Sequence, residues 1–192
     1  CRFLFDIIHG IRTRCGDGFL LGVRLSPELF GQQLPDIVEI ARRLLEEAQI
    51  DYLDMSLWDV RKEPGDERYR GRSLMSYFAE LDRGDVRLGV AGKIIEPEDA
   101  VYGLQNGADY VALGKVAVLH HDYPHRLQEN PKFSPRWLPA TSDYLREQGL
   151  GEAFIAFLAT WTNFVEDYSV PEDAVLFDID EYLKTGHTRH SQ

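Results

Sequence analysis

Two glycine-lysine pairs are the residues of this 192-residue sequence with the clearest potential for chemistry. Gly92-Lys93 and Gly114-Lys115 each follow a short apolar run that is typical of a buried strand. Glycine lets backbone N–H groups approach a ligand closely, and the start of a helix attracts anions. With a lysine on each turn, the two pairs predict a phosphate-binding cup.

The residues between the two pairs predict a helix. Pro97 falls in its first turn, and Gly107 falls where a helix C-cap is expected. A strand, helix and strand of this length form a βαβ crossover, which makes the two strands parallel neighbours. Both glycine turns are therefore expected at the same edge of one sheet.

Arg24 is the second candidate for chemistry, at the end of a predicted strand at 19–25 (FLLGVRL). This apolar run predicts a strand buried on both faces, where an unpaired charge is costly. Two interpretations stay open at this point. Arg24 either forms a structural ion pair with a carboxylate on a neighbouring strand or helix, or it has a functional role.

Other polar residues are weaker candidates. Asp51 and Asp54 alternate along a second predicted strand, which indicates either a solvated strand end or a carboxylate that faces the interior of a barrel. The charged loop at 58–72 follows that strand and is expected either to be simply solvated or to contact substrate through Trp58 or Tyr69.

A histidine-rich segment follows the second glycine-lysine pair. His120, His121, Asp122 and His125 are of the types that bind metals, but no further His/Cys cluster accompanies them. The sequence therefore predicts a surface helix end here and no metal site.

The elements that must position these residues alternate along the chain. An amphipathic helix opens the sequence, and strands are predicted at 19–25, 51–56, 87–91 and 109–113, with helices at 34–48, 74–81 and 97–107. This alternation predicts a parallel sheet, either open and doubly wound or half of an eight-stranded (β/α)8 barrel. No G-x-G-x-x-G follows a strand, and paired glycine turns after the last two strands favour the half-barrel.

The predicted domain division falls after residue 129. Residues 1–129 are expected to form the half-barrel with the phosphate site, and residues 130–192 a proline-containing connector, a helical extension and a polar tail. A broad apolar helical face at 153–168 predicts core packing within the extension.

Composition narrows the function further. The formal charge of −11 argues against a nucleic-acid partner or an anionic membrane surface. No apolar run approaches the roughly 20 residues that span a bilayer. Two cysteines make no disulfide framework, so a cytoplasmic location is expected.

Several motifs in order resemble the old yellow enzyme family of FMN-dependent ene-reductases and NADH:flavin oxidoreductases. They are GVRLSP at 22–27, DYLDMS at 51–56, AGKI at 91–94, PEDAVYGLQNGADYVALGK at 97–115 and LHHDYP at 119–124. The resemblance covers residues 1–125, and residues 141–165 are similar to the C-terminal extension of some members.

The resemblance implies a TIM barrel with FMN at its C-terminal mouth. Arg24 would lie against the pyrimidine edge of the isoalloxazine and stabilise the negative charge that forms on reduction. Gly92, Lys93, Gly114 and Lys115 would hold the FMN phosphate. The family usually has arginine where this chain has Lys115, and lysine keeps the charge but lacks the two-pronged guanidinium.

The resemblance also implies what this chain lacks. The family's N-terminal half supplies the other flavin contacts, the pair that binds the substrate oxygen and the tyrosine proton donor, and nothing here matches them. The expected function is the cofactor-binding half of an oxidoreductase that passes hydride from NAD(P)H through FMN to an activated alkene or similar small-molecule acceptor. No catalytic residue is expected in this chain, and the expected partner is the missing N-terminal half-barrel or a completing chain, with self-association as a further option.

Two alternatives stay open. One is a non-catalytic half-barrel that binds a phosphorylated ligand or a partner chain. The other is a different phosphate-binding barrel enzyme, such as a dihydrouridine-synthase-like protein, although a tRNA substrate would need a basic surface. Arg24 separates the flavin hypothesis from a simple phosphate binder, which has no need of a cation at that strand end.

Overall fold

The computed structural model of the protein describes residues 2–28, 31–47 and 50–169. Two compact units divide the chain, residues 1–113 and residues 114–192. The division after residue 129 stays a prediction.

A parallel sheet forms the centre of the first unit. Its four strands lie in chain order, β1 (Gly22–Leu25), β2 (Tyr52–Ser56), β3 (Arg87–Ala91) and β4 (Tyr110–Ala112). Every neighbouring pair is parallel. The prediction of four parallel strands is confirmed.

The first strand is shorter and more exposed than predicted. β1 pairs with β2 only from Gly22 onward, so Phe19 and Leu20 precede the ladder, and Leu20 is 71% exposed. The prediction of a strand over 19–25 that is buried on both faces is wrong at this end. Apolar side chains alone did not reveal where pairing begins.

The described part of the first unit contains four α-helices, which follow the predicted spacing. They are α1 (Arg2–Cys15), α2 (Leu34–Glu46), the short α3 (Ser76–Ala79) and α4 (Pro97–Gln105), with a 3-10 turn at Glu67–Tyr69. The apolar side of α2 is buried, as its 3.6-residue period requires. Pro97 opens α4, and Gly107 follows it with φ of +103°, as predicted.

The two faces of the sheet differ in chemistry because successive side chains of a strand point to opposite faces. One face packs in the core and carries the buried residues Val23, Leu53, Met55, Leu88 and Val90. The other, termed here the polar face, carries Arg24, Tyr52, Asp54, Ser56 and Tyr110, which alternate with them. The polar side chains named here therefore lie on one side of the sheet.

Aspartates just before two of the strands tie the sheet together at its N-terminal edge. Oδ2 of Asp51 accepts the backbone N–H of Leu21 at 2.7 Å and Nη2 of Arg12 at 2.8 Å. Before β4, Oδ2 of Asp109 likewise accepts the backbone N–H of Leu88 at 2.7 Å. These hydrogen bonds lower the pKa of both carboxyls, so each stays ionised well into acid.

A tyrosine follows each of these aspartates and lies over a glycine of the neighbouring strand. A Cβ added at Gly22 would lie 2.1 Å from the ring of Tyr52, and one added at Gly89 would lie 2.2 Å from the ring of Tyr110. Each glycine is the register partner of the tyrosine that covers it. The sequence Asp-Tyr therefore forms the same arrangement at two strands. In each, the carboxylate fixes the start of the strand and the tyrosine ring covers a glycine of the neighbouring strand.

The second unit, described over residues 114–169, is helical. It contains α5 (Lys115–Leu119), α6 (Tyr123–Glu129), α7 (Ser142–Glu147) and α8 (Glu152–Ala159). Residues 131–139 form the predicted irregular connector. The helical C-terminal extension is confirmed, and the predicted polar tail at 170–192 lies outside the described residues.

The apolar face predicted at 153–168 is only partly correct. The helix ends at Ala159, and Ile155 and Leu158 are buried, but Phe154 and Phe157 are exposed and stack on each other with ring centroids 6.1 Å apart. Residues three apart lie on the same side of a helix, so the two rings share one outward side.

Within the described ranges, no helix has both the length and the apolar character needed to cross a bilayer.

Candidate functional site

Arg24 lies on the polar face, one residue before the end of β1. Its Nη1 lies 3.2 Å from Oδ2 of Asp54, and its Nη2 donates to Oγ of Ser56 at 3.2 Å. Asp54 is its register partner on β2, so the ion pair joins two neighbouring strands. The side chain of Arg24 nevertheless stays 55% exposed. It is therefore a paired, half-exposed cation rather than the buried charge that the sequence predicts.

This geometry bears on both interpretations of Arg24, the structural ion pair and the functional role. The ion pair with a neighbouring strand is present, as the structural interpretation expects. Asp54 and Ser56 take one contact each from Nη1 and Nη2, and a guanidinium has five N–H donors, so the half-exposed group keeps donors for a ligand. The flavin role of Arg24 stays a prediction that this arrangement permits.

Gly92 follows β3 directly and packs against the chain that leaves β2. An added Cβ would lie 2.7 Å from the backbone N of Asp59 and 2.8 Å from the carbonyl carbon of Trp58. The carbonyl of Gly92 accepts the N–H of Val60 at 3.0 Å. Only glycine fits here because the backbone of another segment approaches this closely.

Lys93 has a backbone φ of +44°, which a non-glycine residue adopts rarely. Its side chain is 61% exposed, and Nζ lies 3.9 Å from Oδ2 of Asp59. This long, exposed contact holds the ammonium group weakly. Lys93 therefore offers a cation beside the end of β3.

Gly114 and Lys115 begin the second unit. Gly114 precedes α5, and a Cβ added to it would meet no heavy atom within 4 Å among the described residues. The first unit ends with β4, whose Ala112 pairs with Ala91 at the end of β3. The strands that lead into the two glycine turns thus end side by side. The two glycine-lysine pairs lie in different units, and their meeting in one phosphate cup stays a prediction.

Tyr52 and Tyr110 are polar-face residues that the sequence reasoning missed. Their rings meet edge to face with centroids 6.2 Å apart. Burial, with smaller contributions from the charge of Asp54 and from Tyr52, raises the pKa of Tyr110 to about 12, so its phenol is protonated at neutral pH. The signal that could have found them is the repeated Asp-Tyr pair, matched in register to Gly22 and Gly89.

The charged loop after β2 is anchored to the segment after β1. Oε1 of Glu28 accepts the backbone N–H of Gly65 at 2.8 Å, and its Oε2 lies 2.8 Å from Nζ of Lys62. The expectation that the charges of this loop are simply solvated is therefore wrong for Lys62, because its ammonium group pairs with the largely buried carboxylate of Glu28. The hydroxyl of Tyr77 donates to the carbonyl of Tyr69 in the same loop at 2.8 Å. Substrate contact by Trp58 or Tyr69 stays a prediction.

His120 is a buried structural residue. Its Nε2 accepts the backbone N–H of Arg136 at 2.8 Å, and its Nδ1 lies 3.1 Å from the hydroxyl of Tyr144. Burial, followed by the charge of Arg126, lowers the pKa of His120. The predicted surface helix end is wrong for this residue. In the described part of the chain, no group of three or more His, Cys, Asp or Glu side chains is arranged to hold a metal ion.

A polar cavity of about 290 Å³ lies at the opposite, N-terminal edge of the sheet. Both arginines of its lining are paired, because Asp109 contacts Nη1 of Arg83 at 2.5 Å and Nη1 of Arg87 at 3.3 Å. This edge holds the strand starts in place, and it is separate from the candidate site.

Comparison with known proteins identifies relatives over part of the chain. No family model matches the sequence. A probable N-methylproline demethylase of Rhizobium meliloti (strain 1021) is 39% identical over 67 residues, which make up 33% of this chain and 10% of that protein. The probable NADH-dependent flavin oxidoreductase YqiG of Bacillus subtilis (strain 168) is 29% identical over 115 residues, 58% of this chain and 30% of that protein.

The fold is similar to that in an X-structure of a variant of NCR from Zymomonas mobilis. The TM-score is 0.52 at 22% identity, and the match covers 69% of this chain and 42% of that chain. At this identity the likeness concerns the fold alone, and it confirms the predicted half of a TIM barrel. The chain spans less than half the length of each of these matched proteins.

Proposed function

From its relationship to the old yellow enzyme family of flavin oxidoreductases, we propose that this chain forms the FMN-binding part of a flavin-dependent oxidoreductase. The observation that carries the proposal is the half-exposed guanidinium of Arg24, which β2 holds on the polar face through Asp54 and Ser56. A simple phosphate binder does not require a fixed cation at this position. A flavin benefits from one, because negative charge grows on its pyrimidine edge when it is reduced and a fixed cation stabilises that charge.

Each unit, taken by itself, contains residues of a type that suits one end of FMN. Arg24 supplies donors on the polar face for the ring system. A Cβ added to Gly114 would meet no heavy atom within 4 Å among the described residues, so its own unit leaves the backbone open to a phosphate. Lys115 and Lys93 supply positive charge, which a protein with a formal charge of −11 must concentrate locally to hold an anion.

Bound FMN supplies hydride chemistry between NAD(P)H and an activated alkene or similar acceptor. The role of this chain is to bind and orient. Arg24 provides fixed positive charge where negative charge develops, and the protonated Tyr110 adds none. The groups that hold the acceptor and donate a proton would come from a completing half-barrel, either another segment or another chain.

A second candidate reaction is the oxidative demethylation of an N-methylated amino acid. The similarity to the probable N-methylproline demethylase, at 39% identity over 67 residues, favours it. The two reactions differ in direction relative to the flavin. An alkene acceptor would reoxidise the reduced protein-bound flavin, whereas N-methylproline would bleach the oxidised flavin without NAD(P)H under anaerobic conditions.

The experiment that tests the proposed function compares FMN with riboflavin, which lacks the phosphate. The purified chain is titrated with each flavin, and binding is followed by quenching of flavin fluorescence. We expect FMN to bind at least about tenfold more tightly, equivalent to about 1.4 kcal/mol, since hydrogen bonds to charged groups contribute this much. The substitution Lys115→Ala should reduce that preference.

Lys132→Ala is the matched control, because Lys132 is exposed in the connector. It should leave both affinities unchanged. Equal affinities for FMN and riboflavin in the wild-type chain would contradict the phosphate site. Absence of binding by either flavin would contradict the proposed function as a whole.

A further inference from the structure

The ion pair on the polar face is asymmetric in its exposure. Arg24 is more than half exposed, whereas Asp54 is only 9% exposed as a residue. One oxygen of Asp54, Oδ2, contacts Arg24, and the other, Oδ1, is buried without a hydrogen-bond partner within the described residues. The carboxylate is thus the buried partner, on the neighbouring strand, of a half-exposed cation.

A buried carboxylate with an unsatisfied oxygen is costly for the fold. Burial of an unpaired polar atom costs about 1 to 3 kcal/mol, and more for a charged group. An apolar residue at this strand position would avoid that cost, as Leu53 and Met55 do on the other face. Asp54 lies directly beside Arg24, so the effect of its carboxylate is on the position and the charge of that guanidinium.

Two side chains beside this pair on the polar face, those of Tyr110 and Ser56, are neutral. Tyr110 lies over Gly89, the register partner of Asp54 on β3, and its phenol is neutral because its pKa is raised to about 12. Ser56 contributes a neutral hydroxyl at 3.2 Å from Nη2 of Arg24. A ligand on this face therefore meets a cation whose charge is partly cancelled by a buried anion.

We propose that Asp54 is the counter-ion that positions Arg24 and sets the strength of its positive field at the flavin. This inference rests on the proposed function. The carboxylate holds the guanidinium in place on the polar face, and its negative charge offsets part of the stabilisation that Arg24 gives to reduced flavin. The pair therefore tunes the reduction potential, with the two residues acting in opposite directions.

The test measures the midpoint potential of FMN bound to the purified chain by spectroelectrochemistry. Asp54→Asn keeps the size of the side chain and an oxygen that accepts from Arg24, but removes the charge. We expect this variant to prefer reduced over oxidised FMN about tenfold more strongly than the wild type, a rise of about 30 mV for a two-electron couple. Arg24→Ala should lower the potential.

Two further variants control the comparison. Asp17→Asn removes the same charge from an exposed turn before β1 and should leave the potential unchanged. Asp54→Glu keeps the charge and should stay near the wild-type potential. Asp54→Ser, smaller and neutral, replaces Asp54→Asn if that variant does not fold, and the same rise is expected.

The outcomes separate this inference from the proposed function. A wild-type chain that binds FMN, with an Asp54→Asn potential that is unchanged or lowered, overturns the inference alone. Failure of both neutral variants to fold assigns Asp54 to the structure and also overturns it. A wild-type chain that takes up no flavin overturns the proposed function, and this inference with it.

Discussion

The two glycines of the candidate site differ in whether the fold alone explains them. Gly92 is explained fully by chain packing, because the backbone at Trp58 and Asp59 lies where its Cβ would be. Gly114 is not explained in this way, since a Cβ added there would meet nothing within 4 Å among the described residues. The two glycines were predicted as equals, but the structure gives the first a structural reason and leaves the second accessible.

The packing at Gly92 predicts a large cost for any side chain there. Gly92→Ala should lower the free energy of unfolding by about 1 to 3 kcal/mol, because the added methyl group overlaps backbone atoms at 2.7 and 2.8 Å that cannot rotate away. Urea unfolding followed by circular dichroism measures this change. Gly18→Ala, where an added Cβ meets nothing within 4 Å among the described residues, is the control and should be nearly neutral. Equal stabilities of the two variants would contradict the packing account.

His120 predicts a pH dependence of stability. Its Nε2 accepts a backbone hydrogen bond, so protonation in the folded protein would set two N–H groups against each other. Because burial lowers its folded pKa below the ordinary value, the unfolded chain binds the proton more readily, and stability falls as pH drops below about 6.5. The slope from this one group is at most about 1.4 kcal/mol per pH unit.

The substitution His120→Gln isolates this contribution. The variant should be less stable than the wild type at pH 7.5, and its stability should change less between pH 7.5 and pH 5 in denaturant unfolding. His125→Gln serves as the control, because His125 is exposed and pairs only loosely with Glu129 at 3.7 Å. An unchanged pH slope in His120→Gln would show that the buried ring does not govern this range.

At the scale of elements, the repeated Asp-Tyr arrangement explains how short strands hold their register. β4 has three residues, yet Asp109 fixes its start through the backbone of Leu88 and the guanidinium of Arg83. A register shift by one residue would move the polar-face side chains to the core. The carboxylates at the N-terminal edge therefore keep Arg24 and Asp54 on the side where the proposed ligand binds.

This role predicts the effect of Asp109→Asn. The variant should lose about 1 to 2 kcal/mol of stability at pH 7, because a charge-assisted hydrogen bond becomes a neutral one. The pKa of Asp109 is lowered, mainly by the Leu88 N–H, so its contribution is complete above about pH 4 and disappears as the pH falls through the folded value. Urea midpoints at pH 7 and pH 3 should therefore differ less for the variant than for the wild type.

Asp6→Asn is the control for that comparison, because Asp6 is largely exposed on α1 and pairs with Arg2 at 3.5 Å. It should leave the stability nearly unchanged at both pH values. If Asp109→Asn lost no more stability than this control, the carboxylate of Asp109 would not be what fixes the strand register.

The elements were more predictable than the contacts. Pro97 and Gly107 bound α4 through properties of their own backbones, so the sequence alone was enough to locate that helix. Phe19 and Leu20 were assigned to β1 because of their apolarity, but the ladder starts where a partner strand is available. Phe154 and Phe157 have helical spacing, which reveals the helix but not whether a neighbour covers that side.

The candidate site was predictable in its residues and not in its pairings. Arg24 was identified from its place at a strand end, while its contact with Asp54 depends on the register between β1 and β2. Register is set by long-range contacts such as that of Asp51 with Leu21, which no local pattern encodes. The repeated Asp-Tyr pair could have singled out Tyr110, but its cover of Gly89 exists only in the assembled sheet.

At the scale of the whole molecule, the fold and the partial sequence similarities agree. The predicted resemblance to the old yellow enzyme family is confirmed by the similarity to the flavin oxidoreductase YqiG, and the half-barrel by the likeness to the NCR structure. The central proposal is that this part of the barrel holds FMN at the carboxyl ends of its strands.

A visible-absorption titration of the purified chain with FMN tests that proposal most directly. We predict that the flavin bands shift as FMN leaves water for the polar face, and that the shift saturates at one FMN per chain. Arg24→Ala should bind FMN less tightly, and Arg42→Ala, an exposed arginine on α2, should match the wild type. A flavin spectrum that stays identical to that of free FMN at every protein concentration would contradict the account.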